Sequence, residues 1–405
     1  MSPAERLVVL YTAPPACRRR AVCPSNHAEN KDFDAFINLP EPCVTYAGNN
    51  RRGGCNIVGM NNAVTEIPVL DISTARNADG SFNQQFVQKL RDAAHRVGFF
   101  QIVGYAKTEN QDQQLLETIA EFFAKPVEQK LKLDNRNSAQ FRGYTRMGTE
   151  ITRGRADARE QIDYGPQRPA LDAVPADAPY LNLQGPNQFP QDFPQLEERA
   201  MAWAELMHQT GHELLSALAV GLGLDEDHFD EPFANTPAWM GKLVHYVSGD
   251  VVPDAGNQGV GLHADYGFIT LLLQDSVGGL QVQPYGQEEW IEVPPTPGAL
   301  VVNLGEMLEV ATDGYLMATI HRVIAPPAGV DRYSVPFFYS PRLDAVIDKV
   351  QLPAELAAEA RGVSDDPQNP MLASYGANVL KGWLRAHPQT AAIHYPELVQ
   401  SKASA

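Results

Sequence analysis

Two histidines and one aspartate have the residue types and the spacing of a metal site. His263 and Asp265 are separated by one residue, immediately before the apolar run GFITLLLQ, and His321 lies inside a later strand-like segment. Two imidazoles and one carboxylate on rigid strands form a facial triad, which leaves three adjacent positions on iron(II) for other ligands. The His-x-Asp spacing alone is common, and the alternative for His263 is a hydrogen-bonded loop histidine.

A second pattern lies downstream of the histidines. Arg332 follows His321 by eleven residues, in Arg332-Tyr333-Ser334, at the start of another strand-like segment. An arginine there would face the same interior as His321, where its planar guanidinium can bind a carboxylate through two hydrogen bonds and Ser334 can add a third. A five-carbon 2-oxo dicarboxylate that chelates iron through its 2-oxo acid end needs such an anchor. The alternative for Arg332 is a structural ion pair, because an unpaired buried charge is costly.

The segments that position these residues are short and strand-like. Between residues 240 and 341, apolar runs alternate with Gly, Pro and Asp turns, which is typical of a jelly roll. The runs are KLVHYV, FITLLLQ, GLQVQ, WIEV, ALVVNLG, ATIHRVI and SVPFFYS. We therefore predict a mostly β fold with flanking helices, in which a double-stranded β-helix (jelly-roll) core occupies residues 235–342.

The chain before this core changes its period twice. Residues 64–190 combine the strand-like EIPVLDIS and GFFQIVGY with two helical stretches, and predict a mixed α/β N-terminal lobe, irregular after about residue 140. Apolar residues then recur at helical spacing, which predicts a long connecting helix within 191–234. After the core, residues 343–405 return to a helical pattern and form a predicted C-terminal helical segment.

The first 60 residues differ from the rest in composition. They contain all four cysteines and stretches rich in Pro, Asn, Arg and Gly, and show no sustained periodicity. We expect residues 1–60 to be a disordered or spurious extension, with Met60 as an alternative start. An acidic residue precedes their apolar stretch and three arginines follow it, which inverts the charge order of a signal peptide. A cysteine-free body and no signal peptide favour a cytoplasmic protein.

The overall charge restricts the partners. The net charge is −17, and residues 1–59 carry seven Lys or Arg against five Asp or Glu, so the rest is still more acidic. Such a field repels nucleic-acid backbones and anionic membranes, and no uncharged run approaches the ~20 residues of a membrane span. We expect no nucleic-acid and no membrane partner. The chain has no G-x-G-x-x-G after a strand and no phosphate-binding Gly-Lys-Ser/Thr loop, which disfavours nucleotide-dependent enzymes.

Residues 64 to 395 resemble the isopenicillin N synthase-like family of 2-oxoglutarate and Fe(II)-dependent dioxygenases. The segments that carry the resemblance are IPVLDIS, GFFQIVGY, RGYTRMGTEI, GPNQFP, GLHADYGFITLLLQD, GGLQVQ, ALVVNLGEML, IHRV and RYSVPFFYSP. The resemblance implies that His263, Asp265 and His321 are the iron ligands and the catalytic centre. It also implies that Arg332 and Ser334 bind 2-oxoglutarate.

Three further positions take roles from the resemblance. Tyr246 falls where the family has a tyrosine that also binds 2-oxoglutarate, although a strand aromatic packed in the core is the alternative. Val244 departs from the plant-type pattern, which has an asparagine there. Glu150 and Arg385 match substrate-proximal residues of the bacterial ethylene- and succinate-forming branch, which also oxidises arginine. Against this, a glutamate at position 150 is widespread in the family, and an exposed helix arginine is usually solvated.

The implied activity is the oxidation of a small molecule by O2, coupled to conversion of 2-oxoglutarate into succinate and CO2. The outcome can be hydroxylation, desaturation, ring closure, or ethylene and succinate formation with arginine oxidation. One alternative is an oxidase of the same fold that does not use 2-oxoglutarate, since members of that group retain a similar Arg and Ser pair. Another is a non-catalytic jelly-roll binding protein that keeps the metal site. An assay from which 2-oxoglutarate is omitted distinguishes the 2-oxoglutarate-dependent enzyme from the oxidase.

Overall fold

The computed structural model describes residues 64–252, 255–364 and 369–400. The predicted N-terminal extension and its alternative start, Met60, lie outside the described residues.

Short strands make up the centre of the described fold. They are β1 Val69–Asp71, β2 Phe99–Val103, β3 Gly143–Thr145, β4 Ile151–Thr152, β5 Arg155–Ala156, β6 Arg159–Tyr164, β7 Met240–Tyr246, β8 Gln258–His263, β9 Ile269–Gln274, β10 Leu280–Gln283, β11 Ile291–Glu292, β12 Leu300–Leu304, β13 Ile320–Ile324 and β14 Arg332–Tyr339. Except for the β4–β5 hairpin, these strands pair into two sheets.

The two sheets form the predicted jelly roll. The larger has eight strands in the order β1-β2-β12-β9-β14-β7-β6-β3, and the smaller has four in the order β11-β10-β13-β8. Apolar side chains from both sheets meet in one buried cluster that includes Val244, Val301, Val260 and Val282. Because consecutive side chains of a strand point to opposite faces, the other face of the large sheet is free to pack against helices.

The helices flank the large sheet and close one end of the core. They are α1 Gln84–Arg96, α2 Gln111–Phe123, α3 Val127–Lys130, α4 Pro194–Gly221, α5 Asp230–Phe233, α6 Glu306–Ala311, α7 Ala354–Ala357, α8 Tyr375–Ala386, α9 Pro388–His394 and α10 Pro396–Gln400. Within the described part of the chain, no helix is long and apolar enough to span a membrane.

The long helix α4 packs on the outer face of the large sheet. It begins with Pro194 in its first turn, where a missing backbone N–H costs nothing. Trp203 and Met207 on its inner face are fully buried. Gly211 brings the helix so close to β14 that an added Cβ would lie 2.7 Å from Cγ of Tyr339. The helix thus supports the strand that carries Arg332.

Two strands of the large sheet, β3 and β6, were not expected from the sequence. The segment after residue 140 was predicted to be irregular, but β6 pairs along its whole length with β7. Its sequence, REQIDY, contains three charged residues and a glutamine, yet all six residues are buried. The charged ones are matched inside the protein, as in the ion pair between Glu160 and Lys130 at 2.7 Å. A strand whose buried side chains are ion pairs has no hydrophobic periodicity to detect.

Candidate active site

Strand pairing brings His263 and His321 together. β8 and β13 are antiparallel neighbours in the small sheet, and the two histidines are directly opposite in register, with ring centroids 4.2 Å apart. Asp265 lies just past the end of β8, so His263 ends a strand rather than lying in a turn. Oδ1 of Asp265 is 3.6 Å from Nε2 of His263 and 3.8 Å from Nε2 of His321. Ligand atoms of all three lie within 4.8 Å of one another.

Hydrogen bonds to the far side of each group orient the three side chains. Nδ1 of His263 lies 2.8 Å from the carbonyl oxygen of Gly261, and Nδ1 of His321 lies 3.1 Å from that of Thr319. A carbonyl can only accept, so each Nδ1 carries the proton and each Nε2 keeps a lone pair for a metal.

The aspartate is held in the same manner. Its Oδ2 accepts hydrogen bonds from Thr270 Oγ1 at 2.6 Å and from Asn303 Nδ2 at 2.8 Å. Both donors come from strands of the large sheet, β9 and β12, so the aspartate bridges the two sheets. Oδ1 therefore remains the oxygen that faces the histidines, which is the arrangement expected of an oriented carboxylate ligand.

Burial and charge favour the metal-binding protonation states of His263 and Asp265. Burial, together with the neighbouring His321, lowers the pKa of His263 to about 4. Burial alone would raise the pKa of Asp265, but His321 and His263 hold it below its usual range. Neutral imidazoles and an ionised carboxylate are the forms that coordinate a divalent cation. The donor set fits iron(II).

A cavity of about 1490 Å³ opens from these three residues. Its wall combines strand residues of both sheets with the inner face of α8, including Tyr246, Leu272, Met240, Trp383 and Tyr375. Large enclosed pockets with a few polar groups are where proteins bind small molecules. The cavity has room for an organic co-substrate and a substrate beside a metal.

Arg332, Ser334 and Tyr246 form a polar group on the facing strands β14 and β7. Arg332 is fully buried, and its Nη2 donates to Oε1 of Gln274 at 3.3 Å. Its Nε and Nη1 have no hydrogen-bond partner among the described residues. Ser334 Oγ donates to the hydroxyl oxygen of Tyr246 at 3.3 Å, and Tyr246 lines the cavity. Unsatisfied donors on a buried cation are costly, and a carboxylate would satisfy them.

Val244 is an apolar core residue at the position where the plant-type pattern has an asparagine. It is fully buried and packs in the apolar cluster between the sheets, opposite Ser334 in register. The polar group on this part of β7 is therefore Tyr246, two residues along the strand.

Glu150, one of the two predicted substrate residues, lines the cavity within a group of cations. Its Oε2 is 3.1 Å from Nη2 of Arg159, and its Oε1 is 3.3 Å from Nζ of Lys242 and 3.6 Å from Nε2 of His387. Burial alone would raise the pKa of Glu150, but Arg159 and Lys242 hold it well below its usual range. Both carboxylate oxygens already face positive partners from the protein.

Arg385, the other predicted substrate residue, projects from the end of α8. It lines the cavity and donates from Nη1 to Oδ1 of Asn369 at 2.9 Å. Tyr266, next to Asp265 in sequence, is packed so closely against α8 that an added Cβ on Gly382 would lie 2.7 Å from its ring. Arg385 is thus a half-buried cavity residue and not a solvated one.

Sequence reasoning missed several polar residues of the site. Thr270 and Asn303 orient Asp265, and Asn303 could have been found as the polar residue in the apolar strand ALVVNLG. Arg159 and Lys242 belong to buried ion pairs, and Arg142 lies in RGYTRMG, a segment that already carries part of the family resemblance. The missing information was their burial, which spacing does not reveal.

Two family descriptions match the chain. Residues 67–192 match the N-terminal domain of the non-haem dioxygenases named for morphine synthesis, and residues 241–341 match the 2OG-Fe(II) oxygenase superfamily. The second region contains all three residues of the candidate metal group and Arg332.

Relatives that match about 70% of the chain agree with these family matches. The chain is 36% identical over 296 residues to the 2-oxoglutarate-Fe(II) type oxidoreductase hxnY of Emericella nidulans, covering 70% of this chain and 82% of that protein. It is 32% identical to a homoarginine-6-hydroxylase of Oryza sativa subsp. japonica, covering 70% and 88%. Among solved structures, a protein of Caulobacter crescentus described as of the 2OG-Fe(II) oxygenase family superposes with a TM-score of 0.60 at 29% identity, covering 72% and 92%.

Proposed function

Because this chain belongs to the 2OG-Fe(II) oxygenase superfamily, we propose that His263, Asp265 and His321 bind its iron(II). The protein is a 2-oxoglutarate- and Fe(II)-dependent dioxygenase that acts on a small molecule. The observation that carries the assignment is the convergence of the three ligand atoms within 4.8 Å, in the protonation states that a metal requires.

We assign binding of 2-oxoglutarate to Arg332, Ser334 and Tyr246. The support is the pair of unsatisfied donors on the buried guanidinium of Arg332, beside the two hydroxyls. A planar guanidinium binds a carboxylate through two parallel hydrogen bonds. When bound, iron(II) and 2-oxoglutarate would supply the oxidising power: one atom of O2 would enter succinate as CO2 is released, and the other would be inserted into a C–H bond of the substrate.

The remaining residues of the site position groups and exclude water. Thr270 and Asn303 hold Oδ2 of Asp265, so that Oδ1 stays aimed at the metal position. Phe99 packs edge-on against His321 with ring centroids 5.1 Å apart. Glu150 and Arg385 form part of the wall that faces the substrate, with Glu150 acting as the shared counter-ion of Arg159 and Lys242.

Hydroxylation is the outcome that we propose. It is the reaction for which the Oryza sativa relative is named, and it needs no second hydrogen abstraction. Glu150 already forms ion pairs with Arg159 and Lys242, and these pairs weigh against its binding a cationic substrate such as arginine. We also propose that the protein acts in the cytoplasm and binds neither nucleic acid nor membranes, on the basis of its cysteine distribution and acidic charge.

An assay with and without 2-oxoglutarate under ¹⁸O2 tests the proposal. Turnover should require 2-oxoglutarate, release one succinate for each product, and place one ¹⁸O atom in that product. Oxidation that proceeds with ascorbate alone would support the oxidase of the same fold instead. Ethylene in the headspace in place of a labelled product would show that the reaction is not hydroxylation.

A further inference from the structure

One buried cation in the cavity has no counter-ion within the part of the chain that the structure describes. Arg142 lies just before β3, is 8% exposed, and lines the cavity. Its guanidinium lies against the backbone of Gly165, where an added Cβ would be 2.2 Å from Nη2 and 2.3 Å from Nη1. No described carboxylate forms a salt bridge with it, and its Nε has no hydrogen-bond partner among the described residues.

The other buried cations of this wall are matched. Arg159 contacts Glu150 at 3.1 Å and Asp157 at 3.0 Å. Lys242 contacts Asp163 at 2.9 Å and Glu150 at 3.3 Å. These three carboxylates are therefore already shared between two cations, and Arg142 is left as the unmatched charge of the group.

The lowered pKa of Arg142 is consistent with its lack of a paired carboxylate among the described residues. Burial lowers the pKa of Arg142 to about 10, with Asp163 opposing this only in part and the nearby Arg168 adding to it. A buried guanidinium is costly unless a partner compensates it. The positive charge is thus retained at a position where the described residues supply too little negative charge.

Arg142 shares its cavity with the proposed iron site. Tyr375, at the start of α8, interacts electrostatically with both Arg142 and Asp265, and all three residues line the same cavity. The wall around them includes the apolar side chains of Met240, Val379 and Trp383. The cavity therefore contains the guanidinium of Arg142, the proposed iron site, and an apolar wall formed by strand and helix residues.

We propose that the substrate is a small carboxylic acid whose carboxylate is bound by Arg142. This inference rests on the proposed function and names the substrate class. One unmatched guanidinium balances one negative charge, which favours a carboxylate over a phosphate dianion, and its planar fork matches a carboxylate through two hydrogen bonds. With its carboxylate bound in this way, the rest of the acid would lie along the apolar wall of the cavity.

Substrate-stimulated succinate release tests the proposal. The probes are the L-amino acids, L-homoarginine and simple aromatic acids, each paired with its primary amide. At least one acid should stimulate release, and its amide should be about 10- to 100-fold less effective, because one charge-assisted contact is lost. Stimulation confined to compounds without a carboxylate, or by no acid in the set, would overturn the proposal.

Variants separate this inference from the proposed function. Arg142→Met should raise KM for the active acid by about 10- to 100-fold, Arg142→Lys should recover part of it, and Gly165→Ala should act in the same direction by displacing the guanidinium. Arg136→Met, which removes an arginine paired with Asp134 outside the cavity, is the control and should change KM by less than about 5-fold.

The charge-transfer band of Fe(II) with 2-oxoglutarate should persist in every variant. An unchanged KM in Arg142→Met, or loss of the band in it, would overturn the inference; absence of the band from the unmodified enzyme would count against the cofactor assignment itself.

Discussion

Arg332 and Tyr246 face each other in register across the β14–β7 pair, and the guanidinium carbon lies 4.5 Å from the centre of the tyrosine ring. The ring thereby covers one face of the cation, and a cation over an aromatic face is stabilised without using its N–H groups. The donors at the edge remain available for a ligand. This arrangement supports the proposal that Arg332 binds an anion.

Arg332→Met should weaken 2-oxoglutarate binding by about 100-fold, because two charge-assisted hydrogen bonds to the distal carboxylate are lost. The same substitution should leave the free energy of unfolding unchanged or higher without ligand, since it removes a buried cation with unsatisfied donors. Titration of the charge-transfer band and urea unfolding measure the two effects. A large loss of stability with unchanged affinity would show that Arg332 is structural.

His263→Ala or Asp265→Ala should abolish iron retention and succinate formation, since each removes one of three proposed ligands. Metal content after desalting, measured by mass spectrometry, checks this. His212→Ala is a matched control, because that histidine lies on α4 and pairs with Asp230 at 3.7 Å, away from the cavity. Iron retained at the level of the unmodified protein in either ligand variant would refute the assignment.

Thr270→Val should weaken iron binding by about 10-fold while the fold is preserved. The substitution keeps the shape of the side chain but removes the hydroxyl that donates to Oδ2 of Asp265 at 2.6 Å, and hydrogen bonds to the far side of a ligand tune its affinity. Competition with a chromophoric chelator measures the change. Equal affinity in the variant would mean that Asn303 alone suffices to orient the carboxylate.

Glu150→Gln should lower the free energy of unfolding by about 3 kcal/mol at neutral pH, because it leaves two buried cations without their shared partner. The pKa of Glu150 is lower in the folded protein than its ordinary value of 4.5, since Arg159 and Lys242 outweigh the effect of burial. Its carboxylate therefore stabilises the fold above that value, and the contribution is lost as pH falls through the folded-state pKa. Denaturant unfolding from pH 7 down to pH 3 should show the gap to the unmodified protein narrowing below about pH 4.5; a constant gap would contradict this account.

A chain that starts at Met60 should keep its turnover, since every residue proposed for the iron, 2-oxoglutarate and substrate sites lies within the described ranges. Comparison of kcat and of soluble yield for the two lengths measures this. A clear fall in either would assign the first 59 residues a role that their composition does not indicate.

The jelly-roll core and the metal group could be predicted because both leave local signals. The strands of the core alternate with turn residues, and His263, Asp265 and His321 fall at their ends or inside them. The strand β6 could not be predicted, because the carboxylates of Glu160 and Asp163 are buried by partners on distant segments. Arg142 could not be predicted for the same reason. That it has no nearby carboxylate partner among the described residues is a property of the folded protein, which the sequence does not specify.

The most direct test of the central claim is anaerobic reconstitution of the protein with Fe(II) and 2-oxoglutarate, followed by admission of air. We predict a visible metal-to-ligand charge-transfer band that requires both components, then its decay with formation of succinate. The band should be absent from Asp265→Ala and should need much more 2-oxoglutarate in Arg332→Met. Iron binding without a band, or a band that decays without succinate, would contradict the assignment of the site.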